Sequence, residues 1–349
     1  MTSDEVSAGS SASTEINAAP SPSEVQRPRT GNADTGVQQA AALNDNGREI
    51  ALTGKFLKIA SVKDEEWITP PLIEDPRSFI PTLRESKSGA DLFTFVEELG
   101  CSEPRFPEYQ VEWDNAAVVP TTIFQDWWEK RLPQEARKNV RRSERRGLSV
   151  REVFLNDTLV AGIKQIYDET PFRQGRRFHH YGKDLETIKR ENASYLDRSD
   201  FFGAFFEEQL VGFIKIVYIG QVGRIMQILS MNAHFDKRPP NALLAKAVER
   251  CCERKVKYFV YGKYIYGNKR NSPVTEFKRR TGFEELRFPR YYVPLTAKGK
   301  IALTLGLHRG IQDILPEPVT EFLLRLRAKF YALNDVRPTP GGTQPTAPE

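Results

Sequence analysis

Between residues 133 and 295 the apolar positions change period repeatedly, from helical to extended and back. Pro133 to Arg146 reads as a helix closed by Gly147, and Leu148 to Phe154 (LSVREVF) follows as a strand. Asp157 to Thr170 puts Leu159, Val160, Ile163 and Ile166 on one helical side, and a polar helix covers Lys183 to Leu196. Phe201 to Phe206 and Leu210 to Tyr218 are strands joined at Glu207-Glu208-Gln209, and Val222 to Ser230 adds a third after Gly220-Gln221. Asn241 to Arg254 is a helix with Leu244, Ala247, Val248 and Cys251 at core spacing. It is entered through Pro239-Pro240-Asn241, where proline suits the first turn and asparagine caps. Tyr258 to Tyr261 is a short apolar strand. Ser272 to Arg280 is a serine-capped helix, and Phe283 to Val293 leaves in extended form after Gly282.

The first part of the chain is less regular. Phe56 to Ala60 alternates like a strand, and Asp91 to Leu99 reads as a short amphipathic helix ending at Gly100. Pro70, Pro71, Pro76 and Pro81 predict an irregular connection between them. Near the other end, Val319, Phe322, Leu323, Leu326 and Phe330 place a helix over Pro316 to Leu333, docked on the body.

Composition changes this picture at the two ends. Residues 1–48 are rich in Ser, Ala, Thr, Gly, Asn and Pro and hold no aromatic residue, so they read as a disordered tail; residues 336–349 read the same way. The expected organisation is an extension over 49–119 packed on a central domain over 120–295, then a helical extension over 296–335. With 39% hydrophobic and 28% charged residues, the 349-residue chain has enough apolar surface for a core. No stretch approaches the roughly 20 apolar residues that span a bilayer, and the acidic start is unlike a secretion signal. Three cysteines, Cys101, Cys251 and Cys252, make no disulfide framework and point to a reducing, cytoplasmic setting.

The net charge of +5 understates the basicity of the body, because the tail carries six acids against three arginines. Cations gather at Arg137-Lys138-Asn139-Val140-Arg141-Arg142-Ser143-Glu144-Arg145-Arg146 and again over residues 173–183. Three readings of the first cluster stand: a solvated face, a site for an anionic acceptor, or a surface for nucleic acid or membrane. The second cluster, Pro171 to Lys183, concentrates Arg173, Gln174, Arg176, His179, His180 and Tyr181, a set suited to holding a carboxylate or phosphate and to moving a proton. His179 and His180 are expected to point apart. Neither they nor His234 with Asp236 show metal-ligand spacing, and no metal is expected.

The order βαα, three meandering strands, α, β, α, β resembles the fold of the GNAT acyltransferases. Three passages carry the resemblance: Ile228 to Leu244, Tyr258 to Tyr266, and Phe277-Lys278-Arg279-Arg280-Thr281-Gly282-Phe283. The basic helix, glycine and strand from Arg137 to Val150 are similar to the FemAB-type branch, in which residues 49–120 would be a reduced second half. The resemblance implies an α/β fold with a mixed, mostly antiparallel sheet splayed between its fourth and fifth strands and flanked by helices. It implies transfer of an acyl group from a thioester, acyl-CoA as co-substrate, to an amine or hydroxyl of an anionic acceptor by direct attack. The acceptor would be a small molecule or a cell-envelope precursor.

By that resemblance, the carbonyl sits at Leu229 to Met231, and Lys237, Arg238, Asn241 and Ala242 surround the donor's diphosphate at a helix N-terminus. The family's glycine-rich turn is absent here, since Pro239 and Pro240 offer no N–H. Tyr264 and Tyr266 stand where a thiolate-protonating tyrosine is often placed. His180 is the expected acceptor base, with Arg173, Gln174, Arg176, His179 and Tyr181 binding the acceptor. Two other functions compete: aminoacyl transfer from aminoacyl-tRNA, and a non-catalytic fold that binds RNA or anionic lipid.

Overall fold

A computed structural model describes residues 49–309, apart from 87, 174–175 and 268–271. Both terminal segments, including the helix expected over Pro316 to Leu333, lie outside the described residues. A ten-stranded sheet runs through the described part in the order β1 (Ile50–Thr53), β2 (Ile59–Val62), β3 (Leu92–Val96), β12 (Glu284–Pro294), β4 (Gln110–Pro120), β11 (Tyr258–Val260), β10 (Val222–Ser230), β9 (Gln209–Ile219), β8 (Ser199–Phe206), β5 (Ser149–Val153), and the short β6 (Phe172–Arg173) and β7 (Arg176–Arg177) pair apart from it. Neighbours are antiparallel except β2–β3 and β10–β11, which are parallel.

One half follows the expected order. Helix α2 (Gln134–Arg145) leads to β5 (Ser149–Val153), then α3 (Asp157–Asp168) and α4 (Leu185–Asn192). Asn156 caps α3 by accepting from Leu159 N–H at 2.8 Å, and Asp184 caps α4 from Thr187 N–H at 2.7 Å. The meander β8 (Ser199–Phe206), β9 (Gln209–Ile219) and β10 (Val222–Ser230) comes next, then α5 (Pro239–Glu253), β11 (Tyr258–Val260), α6 (Pro273–Arg280) and β12 (Glu284–Pro294). Helices α2, α3, α4 and α5 and this half of the sheet enclose one apolar core, centred on Ile163, Tyr167, Phe202, Phe213, Leu243 and Phe259. Gly223 lets α5 close on β10, since a Cβ there would lie 2.7 Å from the buried Cys251 Sγ. Burial pushes the Cys251 thiol up, which makes it inert packing as its helical spacing suggests.

The other half departs from the expected elements. Residues 92–96, expected to be helical, form strand β3 (Leu92–Val96) between β2 (Ile59–Val62) and β12. Leu92, Phe93, Thr94 and Phe95 are all buried, so both faces of the strand are covered and no alternation shows in the sequence. The proline-rich connection contains α1 (Pro76–Glu85), with Asp75 as cap and Pro76 in the first turn. Phe79, Ile80 and Leu83 seat it over β3, making a second core with Phe93, Phe95 and Tyr291. The strand expected at 56–60 begins later, and Phe56 sits in the turn after β1 (Ile50–Thr53).

Strand β4 (Gln110–Pro120) lies between β11 and β12 and pairs with both. Residues before 120 are thus part of the same sheet as the later strands. Helix α7 (Ala297–Thr304) follows β12, with Gly299 close against the Asp91 backbone.

Strands β10 and β11 part company. They pair only where Val222, Gly223 and Arg224 meet Tyr258, Phe259 and Val260. Beyond Arg224, β10 carries a bulge at Met226 and runs on to Ser230, while the chain after β11 turns away at Gly262. The result is a mixed, mostly antiparallel GNAT-like sheet, open between the fourth and fifth strands of its second half.

Candidate active site at the parting of two strands

The wedge between β10 and β11 is framed by the chain that follows β11. Tyr261 N–H still donates to Ala117 in β4 at 2.8 Å, and then Lys263 N–H donates to the Tyr266 hydroxyl at 3.1 Å. Burial pushes the Tyr266 phenol well above the tyrosine range. Beneath it lies Lys278 of α6, 0% exposed, with its Nζ 4.7 Å from the ring centres of both Tyr261 and Tyr266. Lys278 donates to the Lys263 carbonyl at 2.5 Å, and burial lowers its pKa to about 7. Tyr264 diverges from Tyr266: it packs partly against the apolar core, and its carbonyl accepts from Thr275 Oγ1 at 3.3 Å.

Charged side chains line the opposite side of the wedge. Arg224, at the last paired position, is 3.7 Å from Glu66, whose carboxyl is raised by burial. Both act electrostatically on the Tyr266 phenol. Beside them, Arg290 bridges Glu65 at 2.5 Å and Asp114 at 3.0 Å, and Lys263 closes on Asp114 at 2.8 Å. Burial alone would raise Asp114, but Arg290 and Lys263 hold it far below the usual carboxylate range.

At the other end of β10, Leu229 and Met231 are buried, and Met231 N–H donates to Val211 at 2.8 Å. The chain then forms a short 3₁₀ turn, Asn232–Lys237, whose first amides, Asn232 and Ala233, each donate to Glu169 at 2.8 Å. Glu169 also meets Arg173, which donates to the carbonyls of Ser230 and Ile166 at 3.0 Å. Arg173 therefore ties α3 to the end of β10.

The entrance to α5 offers no backbone cradle. Of the four N–H groups that a helix start usually leaves unbonded, Pro239 and Pro240 lack theirs. Arg238, in the left-handed region at φ 58°, donates to Phe235 at 3.1 Å, and Asn241 donates back to Arg238 at 3.1 Å. Ala242 is buried and its amide also turns inward. What remains is side-chain charge. Lys237 lies 4.3 Å over the Phe206 ring, and Arg146 grips Asp236 through its carbonyl at 2.6 Å and its carboxylate at 3.0 Å. On the neighbouring α2, Lys138, Arg141 and Arg145 are exposed.

The loop over 171–183 arranges its residues differently from expectation. His179 and His180 do not point apart; their ring centres are 3.8 Å apart, because they sit in a turn and not in a strand. His179 is exposed, but His180 is only 4% exposed and stacks on Tyr167 at 4.3 Å. Its Nε2 is 3.2 Å from Gln227 of β10, and its Nδ1 is 3.1 Å from Lys183. His180 is thus packed against Tyr167 and the Gln227 side chain of β10. Tyr181 is exposed at the rim. Arg176 belongs to a two-residue strand facing Arg173, and Gln174 falls outside the described residues.

Sequence reasoning missed Lys278, Glu66, Arg224 and Glu169. Lys278 had one available signal: Thr275, Lys278 and Thr281 recur at three-residue steps and are buried together. Among the described residues, no three His, Cys, Asp or Glu side chains gather as metal ligands. His234 instead packs 5.6 Å from Phe206.

No family model and no curated protein matches the chain. Among solved structures it is similar to FemX (9% identity, TM-score 0.48, over 71% of this chain and 86% of that one). It is also similar to L-PGS from Bacillus licheniformis (16% identity, TM-score 0.46, over 79% and 84%) and to a tandem GNAT protein from the clavulanic acid biosynthesis pathway (11% identity, TM-score 0.41, over 71% and 79%).

Proposed function

We propose that this protein transfers an acyl or aminoacyl group to an amine or hydroxyl, with the chemistry at the parting of β10 and β11. The observation that supports this reading is the fully buried Lys278, its Nζ 4.7 Å from the ring centre of the half-buried Tyr266, where β10 runs on beyond its pairing with β11. Direct attack on an ester or thioester carbonyl builds negative charge on the carbonyl oxygen and then on the leaving group. A cationic Lys278 beneath Tyr266 favours both charges electrostatically, and the Tyr266 hydroxyl is the proton donor to the leaving group. His180 is a positioning residue, holding the Gln227 side chain of β10 together with Tyr167. The acceptor enters past His179 and Tyr181, with Arg173 bracing the strand end and Arg176 on the facing strand.

Two donors fit such chemistry, acyl-CoA and aminoacyl-tRNA. The accounted-for amides at the start of α5 remove the backbone grip on a diphosphate, which favours the tRNA donor. Its phosphates would meet Lys237, Arg238 and the exposed cations of α2.

Transfer assays with acyl-CoAs and with charged tRNA as donors test the proposal. The expected result is transfer from charged tRNA, reduced at least about tenfold by Tyr266→Phe, in the range of general acid catalysis. Turnover with acyl-CoA alone would overturn the donor preference. Turnover with neither, or full activity in Tyr266→Phe, would overturn the active-site reading.

A further inference from the structure

The first half of the sheet carries a different feature, at the same strand ends as the parting. Large apolar side chains stand in water on and beside α7: Ile301 is 62% exposed, Leu305 64% and Leu307 57%. Phe56, in the turn between β1 and β2, is 90% exposed. These two segments touch, because Lys298 Nζ donates to the Phe56 carbonyl. Lys298, Ile301 and Leu305 follow one another at i, i+3 and i+7, so they form one stripe down a single helix face that begins at Phe56.

Charge sharpens the meaning of this stripe. Residues 50–62 and 292–309 contain no aspartate or glutamate, while Lys55, Lys58, Lys298 and Lys300 lie in or beside the patch. Two carboxylates lie nearby and both are engaged: Asp91 is buried, with Lys298, Thr296 Oγ1 and the Lys58 amide all donating to it, and Glu112 is held by His308 and Arg309. Apolar tips ringed by lysines, with the nearby acids engaged, match an interface of hydrocarbon beneath negative headgroups. The basic helix α2 differs: Lys138, Arg141 and Arg145 are exposed there, but no large apolar side chain is. It carries charge without a means of insertion.

We infer that this face lays the protein on an anionic lipid surface, with Phe56, Ile301, Leu305 and Leu307 entering the headgroup boundary and the lysines meeting lipid phosphates. The contact is independent of the transferase reading, since it uses none of the wedge residues.

Flotation of the full chain with vesicles tests this. Phosphatidylcholine vesicles carrying phosphatidylglycerol should carry the protein upward, and phosphatidylcholine vesicles alone should not. The triple variant Phe56→Ser/Ile301→Ser/Leu305→Ser, all at exposed positions, should lose flotation while keeping the native near-UV circular dichroism. Lys55→Gln and Lys300→Gln should each weaken vesicle binding about fivefold. Absence of native-chain flotation on the anionic vesicles overturns the inference. Flotation that survives the triple substitution does so too, and assigns lipid contact to another surface such as α2. A triple variant that changes oligomeric state or loses stability shows a second copy, or the chain's own segment beyond Arg309, on this face, and equally overturns it.

Discussion

Lys278 Nζ lies 4.7 Å from the ring centre of Tyr266 and donates to the Lys263 carbonyl at 2.5 Å, placing a buried cation beside the phenol. Burial lowers its pKa to about 7 from an ordinary 10.5. Between these values the unfolded chain binds a proton that the folded chain does not, so this group makes stability rise with pH across that window. Below pH 7 the deficit is complete. Lys278→Met should therefore exceed the native chain in stability by on the order of a few kcal/mol at pH 7, with the gap closing toward pH 10. Urea denaturation of both proteins at the two pH values checks this, and the variant should have lost transfer activity. A stability gap that ignores pH would refute the buried-cation assignment.

Glu169 holds three groups at once: the amides of Asn232 and Ala233 and the guanidinium of Arg173. Removing it strands a largely buried arginine and two amide donors. Glu169→Ala should cost about 2–4 kcal/mol, and Glu169→Gln less, because one acceptor oxygen survives. Denaturant midpoints at unchanged slope would report it.

The prolines at the start of α5 make a prediction about donor choice. Pro240→Gly restores one backbone N–H at a helix terminus, where anions bind. Calorimetry should detect stronger coenzyme A binding to this variant than to the native chain, at a helix cost of about 1 kcal/mol or less. Equal, tight binding by both would show that the native entrance already holds a diphosphate through its side chains.

Gly299 seats α7. A Cβ there would lie 1.9 Å from the Asp91 carbonyl oxygen, a backbone atom that cannot swing away. Gly299→Ala should lift α7 from β3, destabilise the protein by about 1–3 kcal/mol, and speed amide exchange across Ala297–Thr304. Vesicle flotation should weaken in parallel, since the apolar stripe is carried by that helix.

The second half of the fold was readable in order because its elements have one wet face and one buried face. Helix α3 shows Leu159, Val160, Ile163 and Ile166, and α5 shows Leu244, Ala247, Val248 and Cys251, at spacings that only a one-sided helix requires. The first half hid itself for the opposite reason: β3 is covered on both faces, and α1 begins and continues through prolines that a local reading takes as breakers.

The candidate site divides in the same way. The resemblance names Tyr264 and Tyr266 alike, as residues that follow β11, and sequence does not choose between them. The surroundings of Tyr266 could not be placed from sequence, because Glu66, Asp114, Arg224, Lys278 and Arg290 come from five separate elements that only the assembled sheet brings together. His180 is the sharpest case. Its residue type suited proton transfer, yet it is packed against Tyr167 and the Gln227 side chain of β10. Sequence by itself determined which segments could be helix or strand and where charge accumulates, since both follow from local composition and period. Only the tertiary structure decided which charges are buried, because burial depends on what covers a side chain, and the covering residues lie as far as 225 positions away along the chain.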